Sequence, residues 1–283
     1  MIDCASKTDA PYWWPSIAFY GTSFAGLILT NLDEDHVRDF TKTIECLNVA
    51  SVCINDTLGC AQLRSMKEEG GMGTGIQAVY DYLKAPTGLN ALLDIPQLTI
   101  SMFRFPYGAY TDTNNLSLIT FVQYGGFCVL FPGDLEEKAW KAALLNPTFC
   151  ALLQRVNLFI TSHHGRESGC CAEIFTSGLC NPDAFVISDK EMIHDTQETT
   201  AWYRQHANGL HKILENPWDT PESRYVFTTR SDSCISVKAE LNGNYLLNRK
   251  SNSQTLVEPK PIAPKPISIF PRPLLLPKIG SRS

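Results

Sequence analysis

The 283 residues suffice to bury one large core or two small ones, and 44% hydrophobic with 19% charged residues is the composition of an ordinary globular protein. A formal net charge of −5 excludes a broad nucleic-acid surface held by electrostatics alone, although divalent ions and a local basic rim can still hold a phosphate. The ten cysteines exclude neither compartment by number, but their spacing is informative: none forms a CxxC pair, Cys170 and Cys171 are adjacent, and the others are scattered through apolar segments. That pattern fits free thiols in a reducing cytoplasm better than a zinc knuckle or a disulfide framework. With no basic-then-apolar leader and no apolar run of spanning length, the expectation is a soluble cytoplasmic protein with no membrane partner.

In chain order, Met1-Ile2-Asp3-Cys4 reads as the end of a strand, and a loop of prolines and aromatics follows. Its Trp13-Trp14 pair reads either as a base-stacking platform or as a plug at one end of the core. Leu27 to Leu32 is an apolar run that stops at Asp33-Glu34-Asp35-His36, after which Val37, Phe40, Ile44 and Leu47 recur at helical steps. Carboxylates and an imidazole crowded at a strand end repel one another and resist burial, and a bound cation offsets both costs. A short strand is expected over 49–54 and a helix over 62–69. The glycine-rich stretch from Gly70 to Gly75 lacks the Lys-Ser/Thr ending of a phosphate-binding loop, so a mobile loop leading into a helix over 76–83 fits better.

Leu98 to Phe105 alternates like a half-buried strand. Leu116–Gln123 and Phe127–Phe131 predict a hairpin about Tyr124-Gly125-Gly126, ending at Pro132-Gly133-Asp134. Helices are expected over 135–145 and from Pro147 to about Val156, then a strand over 157–161 that ends in Ser162-His163-His164-Gly165-Arg166. A helix over 172–177, a strand over 184–188 ending at Asp189 with His194 nearby, and a helix over 199–207 continue the rhythm. Residues 225–229 and 234–239 are expected to close the fold as a strand pair. From residue 258 onward seven prolines interleaved with basic residues favour extended backbone with no core of its own, a tail over 251–283 suited to docking a protein partner. The remaining residues, 1–250, form the expected globular domain.

Three apolar strands thus deliver metal-ligand residue types at their C-terminal ends: Asp33, Asp35 and His36; Asp134; His163 and His164. In this combination the sequence resembles the metallo-β-lactamase fold, most closely the hydrolase domain of ComEC-type DNA-uptake proteins and their free-standing bacterial relatives. The resemblance covers residues 1–245 and rests on Asn31-Leu32-Asp33-Glu34-Asp35-His36, Asn114-Asn115-Leu116-Ser117-Leu118, Gly133-Asp134 and His163-His164-Gly165. It implies an α/β fold of αββα sandwich type, with the hairpin that usually precedes Met1 missing, and one or two divalent ions at a sheet edge.

The ligands it implies are Asn31, Asp33, Asp35, His36, Asp134, His163 and His164. Asn31 stands where the family has histidine, and the Asn-Asn segment stands where many members supply another. The first metal position is therefore expected to be weak, and the oxygen-rich remainder favours manganese or magnesium, with zinc also possible. The implied activity is metal-dependent phosphodiester hydrolysis of nucleic acid or nucleotide by an activated water. Asp33, Asp35 and Asp134 would hold ions or water, and His194 would protonate the leaving oxygen. Asn115, Ser117, Arg166 and Arg230 would contact substrate. The alternatives are hydrolysis of a small molecule (a cyclic nucleotide, lactone or β-lactam) and a metal-poor binding module that docks a partner through its tail.

Overall fold

The computed structural model describes residues 1–5, 14–68, 70–91, 94–189, 198–211, 222–249, 252–257 and 274–276. Chain order gives α1 (Pro15–Ala18), β1 (Leu27–Ile28), α2 (Glu34–Val37), α3 (Phe40–Cys46), β2 (Val52–Cys53), α4 (Cys60–Met66) and α5 (Thr74–Lys84). Next come β3 (Leu98–Arg104), β4 (Ile119–Tyr124), β5 (Phe127–Phe131), α6 (Glu137–Ala143), α7 (Pro147–Leu153), β6 (Leu158–Ile160), β7 (Ala184–Ile187) and α8 (Thr200–Arg204). The chain ends in β8 (Val226–Thr228), α9 (Thr229–Asp232), β9 (Ile235–Ala239), β10 (Tyr245–Arg249), β11 (Asn252–Val257) and β12 (Leu274–Leu275).

The predicted hairpin forms the middle of a seven-stranded mixed sheet ordered β8-β7-β6-β5-β4-β3-β12. β8, β7, β6 and β5 run parallel, while β5, β4 and β3 alternate in direction. Strand side chains point alternately to the two faces, so each apolar run must be covered on both sides. On one face Phe121, Phe159 and Phe185 meet Phe149 of α7, Trp140 of α6 and Tyr203 of α8 with ring centroids 5.5, 5.8 and 4.9 Å apart. On the other face Phe127, Leu158, Val186 and Phe227 pack under Tyr245 and Leu247 of β10, and Met102 and Leu118 pack under Ile28 and Cys53 of the parallel β1–β2 pair. The far side of that pair, Leu27 and Val52, is buried with Phe40 of α3 and Ile76 and Val79 of α5. Each fully buried large side chain contributes roughly 1.5–3 kcal/mol, so the sheet is held from both sides.

Several expected boundaries are corrected. The helix expected after His36 is two pieces, α2 and α3, because Ser16 N–H takes the carboxylate of Asp39 between them. The strand expected over 49–54 is also split: Asn48–Val49 pairs with Ser23–Phe24, and β2 pairs with β1. Residues 172–177 form short 3-10 turns. The glycine-rich stretch ends in fixed contacts, since the backbone N–H groups of Gly75 and Ile76 donate to the Glu34 carboxylate at the start of α5. All ten cysteines are free. Among the described residues no helix is long and apolar enough to cross a membrane.

The expected closing strand pair does not form. β8 instead extends the large sheet beside β7, and β9 pairs antiparallel with β10. Between them α9, capped by Thr228 Oγ1 accepting from Ser231 N–H, carries the chain to the other face. Buried Asp232 fixes this turn by accepting from Arg224 (2.7 and 2.9 Å), Arg249 (3.2 Å) and the Thr228 N–H (3.0 Å). Burial opposes its ionisation, but the hydrogen bonds from Arg224 and Thr228 prevail and its pKa is lowered. Replacing Asp232 by alanine should therefore cost about 2 kcal/mol in urea unfolding at neutral pH. Because the folded pKa is depressed, that difference should be complete above about pH 4 and shrink as pH falls through the folded value.

Of residues 251–283, Asn252–Val257 joins the three-stranded sheet β9-β10-β11, and Leu274–Leu275 adds to the edge of the large sheet parallel to β3. Leu276 is fully buried. The proline-rich stretch between them lies outside the described residues, as do Trp13 and His194.

Candidate metal centre

Parallel strands place the loops that follow them along one edge of a sheet, the usual location of binding sites in α/β folds. Here the segments leaving β1, β5 and β6 meet at such an edge. Asp35, His36, Asp134 and His164 each offer one ligand atom, and the four atoms lie within 4.8 Å of one another. Atoms that share one ion at bond lengths of about 2.0–2.2 Å are no more than about 4.4 Å apart, so a few tenths of an ångström of closure would suffice.

Local backbone chemistry aims each ligand. Gly133 has φ +62°, and a Cβ there would sit 2.8 Å from Ser117 Oγ and 3.0 Å from the Thr30 carbonyl oxygen. Only glycine allows this approach, and the turn it makes directs Asp134 inward while Asp134 N–H donates to Ser117 Oγ (3.0 Å). After β6 three residues in succession are left-handed: His163 (φ 49°), His164 (φ 53°) and Gly165 (φ 76°). Two non-glycine residues in this region are strained and persist only because the surroundings hold them. Hydrogen bonds to backbone carbonyls do so here: His163 N–H donates to the Gly133 carbonyl (3.1 Å) and the Ser162 hydroxyl to the Leu135 carbonyl.

The imidazoles are oriented from behind. His36 Nδ1 lies 2.9 Å from Asp3 Oδ2, and His164 Nδ1 lies 2.9 Å from the Ser188 carbonyl oxygen. Both partners are acceptors, so Nδ1 carries the hydrogen in each ring and Nε2 faces the cluster. Each Nε2 is buried and faces the carboxylates of the cluster: His36 Nε2 lies 3.1 Å from Asp134 Oδ1, and His164 Nε2 lies 3.3 Å from Asp35 Oδ2 and 3.7 Å from Asp134 Oδ1. A histidine whose far nitrogen is tied to a carboxylate or carbonyl is the common arrangement behind a metal ligand. Asp3 is itself held by the Thr30 N–H (2.7 Å) and hydroxyl (2.6 Å).

Charge is concentrated here. Burial works against ionisation of Asp134, yet His36, His164 and His163 hold its carboxyl down at about 2. Burial likewise opposes the charge on His36, but Asp134 and Asp3 outweigh it and raise its pKa well above the ordinary imidazole value. His164 is raised in the same sense, against burial, by Asp35 and Asp134. The carboxylates thus favour the protonated forms of both imidazoles, and an ion binding at their Nε2 atoms has to displace those protons.

The other expected site residues sit elsewhere. Of the two adjacent histidines only His164 joins the cluster; His163 Nε2 accepts from Arg166 Nη1 (3.3 Å) and its Nδ1 bonds Ser168 Oγ (2.8 Å). Burial, with Arg166 adding to it, lowers the pKa of His163. Asn31 lies against the cluster with its amide engaged: it donates to Asp134 Oδ2 (3.0 Å) and Asn114 Oδ1 (3.2 Å), and its oxygen accepts from Leu32 N–H (2.6 Å). Asp33 turns away to Lys67 and the Thr113 hydroxyl.

The expected substrate contacts are also engaged in structure. Ser117 and Asn115 are fully buried, the former bracing the Asp134 turn and the latter bonding Asp112, Glu136 Oε2 and the Glu136 N–H. Arg230 pairs with Asp189 at 2.9 Å, where burial raises the Asp189 carboxyl. Arg166 is used by His163. Asp3 and Ser188 are neighbours of the cluster that sequence reading missed; a carboxylate 33 residues from its histidine carries no local signal.

The ligand atoms open into a pocket whose other walls include Met1, Ile2, Phe19, Phe131 and Ile160. Compared with known proteins, the chain matches no described family and none of the curated proteins.

Proposed function

We propose that this protein is a metal-dependent hydrolase of phosphodiester bonds, built on an αββα sandwich of the metallo-β-lactamase type. The observation that carries the reading is the convergence of Asp35, His36, Asp134 and His164, with both Nε2 atoms turned to the carboxylates. The donor set fits a divalent cation: two carboxylates and two neutral imidazoles suit manganese or zinc, and the carboxylates suit magnesium. When bound, such an ion lowers the pKa of a coordinated water towards neutrality and polarises a phosphoryl oxygen.

The chain's own residues set the geometry for this chemistry. Asp134, kept ionised by its neighbours, is the anchor, and Asn31 holds its second oxygen by a hydrogen bond. Asp3 and the Ser188 carbonyl fix both rings in the one tautomer that can ligate. Asp35, half-buried at the start of α2, is the ligand nearest solvent and the one placed to orient an attacking water.

A single ion is the expected content, because the Lys67 ammonium already neutralises Asp33. Lys67→Met should release that carboxylate and raise the metal-to-protein ratio above one, measured by elemental analysis after gel filtration in manganese. An unchanged ratio would remove Lys67 from this role.

The reading is tested with purified protein in manganese, zinc or chelator, assayed against single-stranded DNA, duplex DNA, RNA and cyclic nucleotides. Cleavage that depends on the ion is expected, and no cleavage of any of them with an ion bound would refute it. A second reading, hydrolysis of a small apolar ester or lactone, is favoured by one observation: no lysine or arginine is among the described residues that line the pocket. Turnover of such esters without phosphodiester cleavage would establish it.

A further inference from the structure

Directly beside the pocket lies a surface that the site chemistry does not use. Ile17, Phe19 and Tyr20, within and just after α1, are 47%, 48% and 77% exposed, three large apolar side chains within four residues. An exposed cluster of this kind marks a binding surface more often than an accident of folding. The segment is also pinned: buried Ser16 N–H donates to Asp39 Oδ2 (2.9 Å), and Phe19 packs edge-on against Phe24 with centroids 5.7 Å apart. The rings remain outside although their backbone is tied to Asp39 between α2 and α3, three residues from His36 and its cluster. Pro15 and Phe19 continue into the pocket wall, alongside Asp35, His36, Asp134 and His164.

Two cations complete the surface. Arg38 and Lys42, one helical turn apart and both exposed, approach the Trp14 ring to 5.7 and 5.2 Å from its centroid. Neither forms an ion pair with an acidic side chain among the described residues. A cation–π contact holds a side chain in place without neutralising it, so both keep their charge for an external anion. Trp14 positions the cations, and Phe19 and Tyr20 are the exposed rings of this segment among the described residues.

Exposed aromatic rings at the end of α1, with two cations held by Trp14 at its start, match the alternating demands of an unpaired nucleic-acid strand, bases to stack and phosphates to neutralise. A duplex keeps its bases stacked internally and would use only the cations. We propose that the α1 surface is a docking platform for single-stranded polynucleotide leading into the metal pocket, with Phe19 and Tyr20 stacking bases and Arg38 and Lys42 taking phosphates. The proposal rests on the phosphodiester reading for the purpose of the platform, but its test does not need cleavage.

Binding of a labelled oligothymidylate to the full chain is measured by fluorescence anisotropy in chelator, over a range of salt. Tyr20→Ala and Phe19→Ala should each weaken binding by about tenfold. Arg38→Ala with Lys42→Ala should flatten the dependence of log affinity on log salt by about 1.4, the value for two single-strand phosphates. A strand of abasic sites should be insensitive to Tyr20→Ala, and a duplex should bind more weakly than the single strand. Tyr20 carries the result if Phe19→Ala lowers the melting temperature, because Tyr20 is the more exposed ring. Unchanged affinity in these variants, equal binding of the duplex, or binding of phosphatidylserine vesicles with the oligonucleotide ignored would each overturn the proposal. A protein that binds the strand through these residues yet cleaves no phosphodiester with manganese or zinc would defeat the hydrolase reading alone. Ion-dependent cleavage with affinity indifferent to the four substitutions would defeat the platform alone.

Discussion

On the proposed reading, Asp134→Asn is expected to abolish stoichiometric binding of manganese or zinc and to lower hydrolysis by about 10²–10³-fold, the scale of losing one preorganised group at a reacting centre. Asp134 is the hub of the cluster: its carboxylate lies 3.1 Å from His36 Nε2 and 3.7 Å from His164 Nε2, and it accepts from Asn31. The amide has the same shape, still accepts from Asn31, and can donate to the Nε2 of a neutral His36 ring. It removes the negative charge that an ion requires without opening a hole. Alanine is the poorer test, because it would leave His36 buried with only Asp3 to balance its charge and would mix loss of metal with loss of stability. The asparagine variant should therefore melt close to the wild-type temperature while elemental analysis finds it metal-free. Retention of a full equivalent of metal with activity intact would remove Asp134 from the centre.

The second large effect belongs to a residue that touches no substrate. Asp3→Ala should weaken metal binding by about 10–100-fold, because the ring of His36 loses the acceptor that sets its tautomer and direction. It should also destabilise the fold by about 1–3 kcal/mol, since the Thr30 N–H and hydroxyl lose their shared acceptor. The two consequences separate with a second variant. Asp3→Asn keeps an oxygen for the Thr30 N–H but turns its NH2, a donor, toward the Thr30 hydroxyl and His36 Nδ1, so stability should largely return while metal affinity stays low in a chelator competition. If affinity and stability recover together, Asp3 is only a structural brace.

Much of the architecture was legible in the chain. The alternation in 98–105 and the apolar runs about Tyr124-Gly125-Gly126 read directly as strands and a turn, because a half-buried strand must repeat every second residue. Helix lengths were less legible: α2 and α3 follow one uninterrupted apolar period, and only Asp39, bonded to a backbone 23 residues away, divides them. The partner of β9 was misread for a similar reason. Residues 225–229 and 234–239 are both apolar strands close in sequence, but Asp232 gathers Arg224 and Arg249 into the turn and sends β9 to a different sheet.

By itself the sequence determined which residue types stand at the strand ends, since acids and histidines interrupting apolar runs can be read without knowing where the strands lie in space. Four members of the cluster, Asp35, His36, Asp134 and His164, were recoverable in this way. Only the tertiary structure decided which candidates share the site. Asp33 and Asp35 differ by two positions, as His163 and His164 do by one, and each pair diverges because φ angles, Lys67 and Arg166 draw one member aside. Asp3 entered the site for the converse reason: a hydrogen bond acts over about 3 Å, so proximity in the folded chain, which local sequence does not encode, selects the partner.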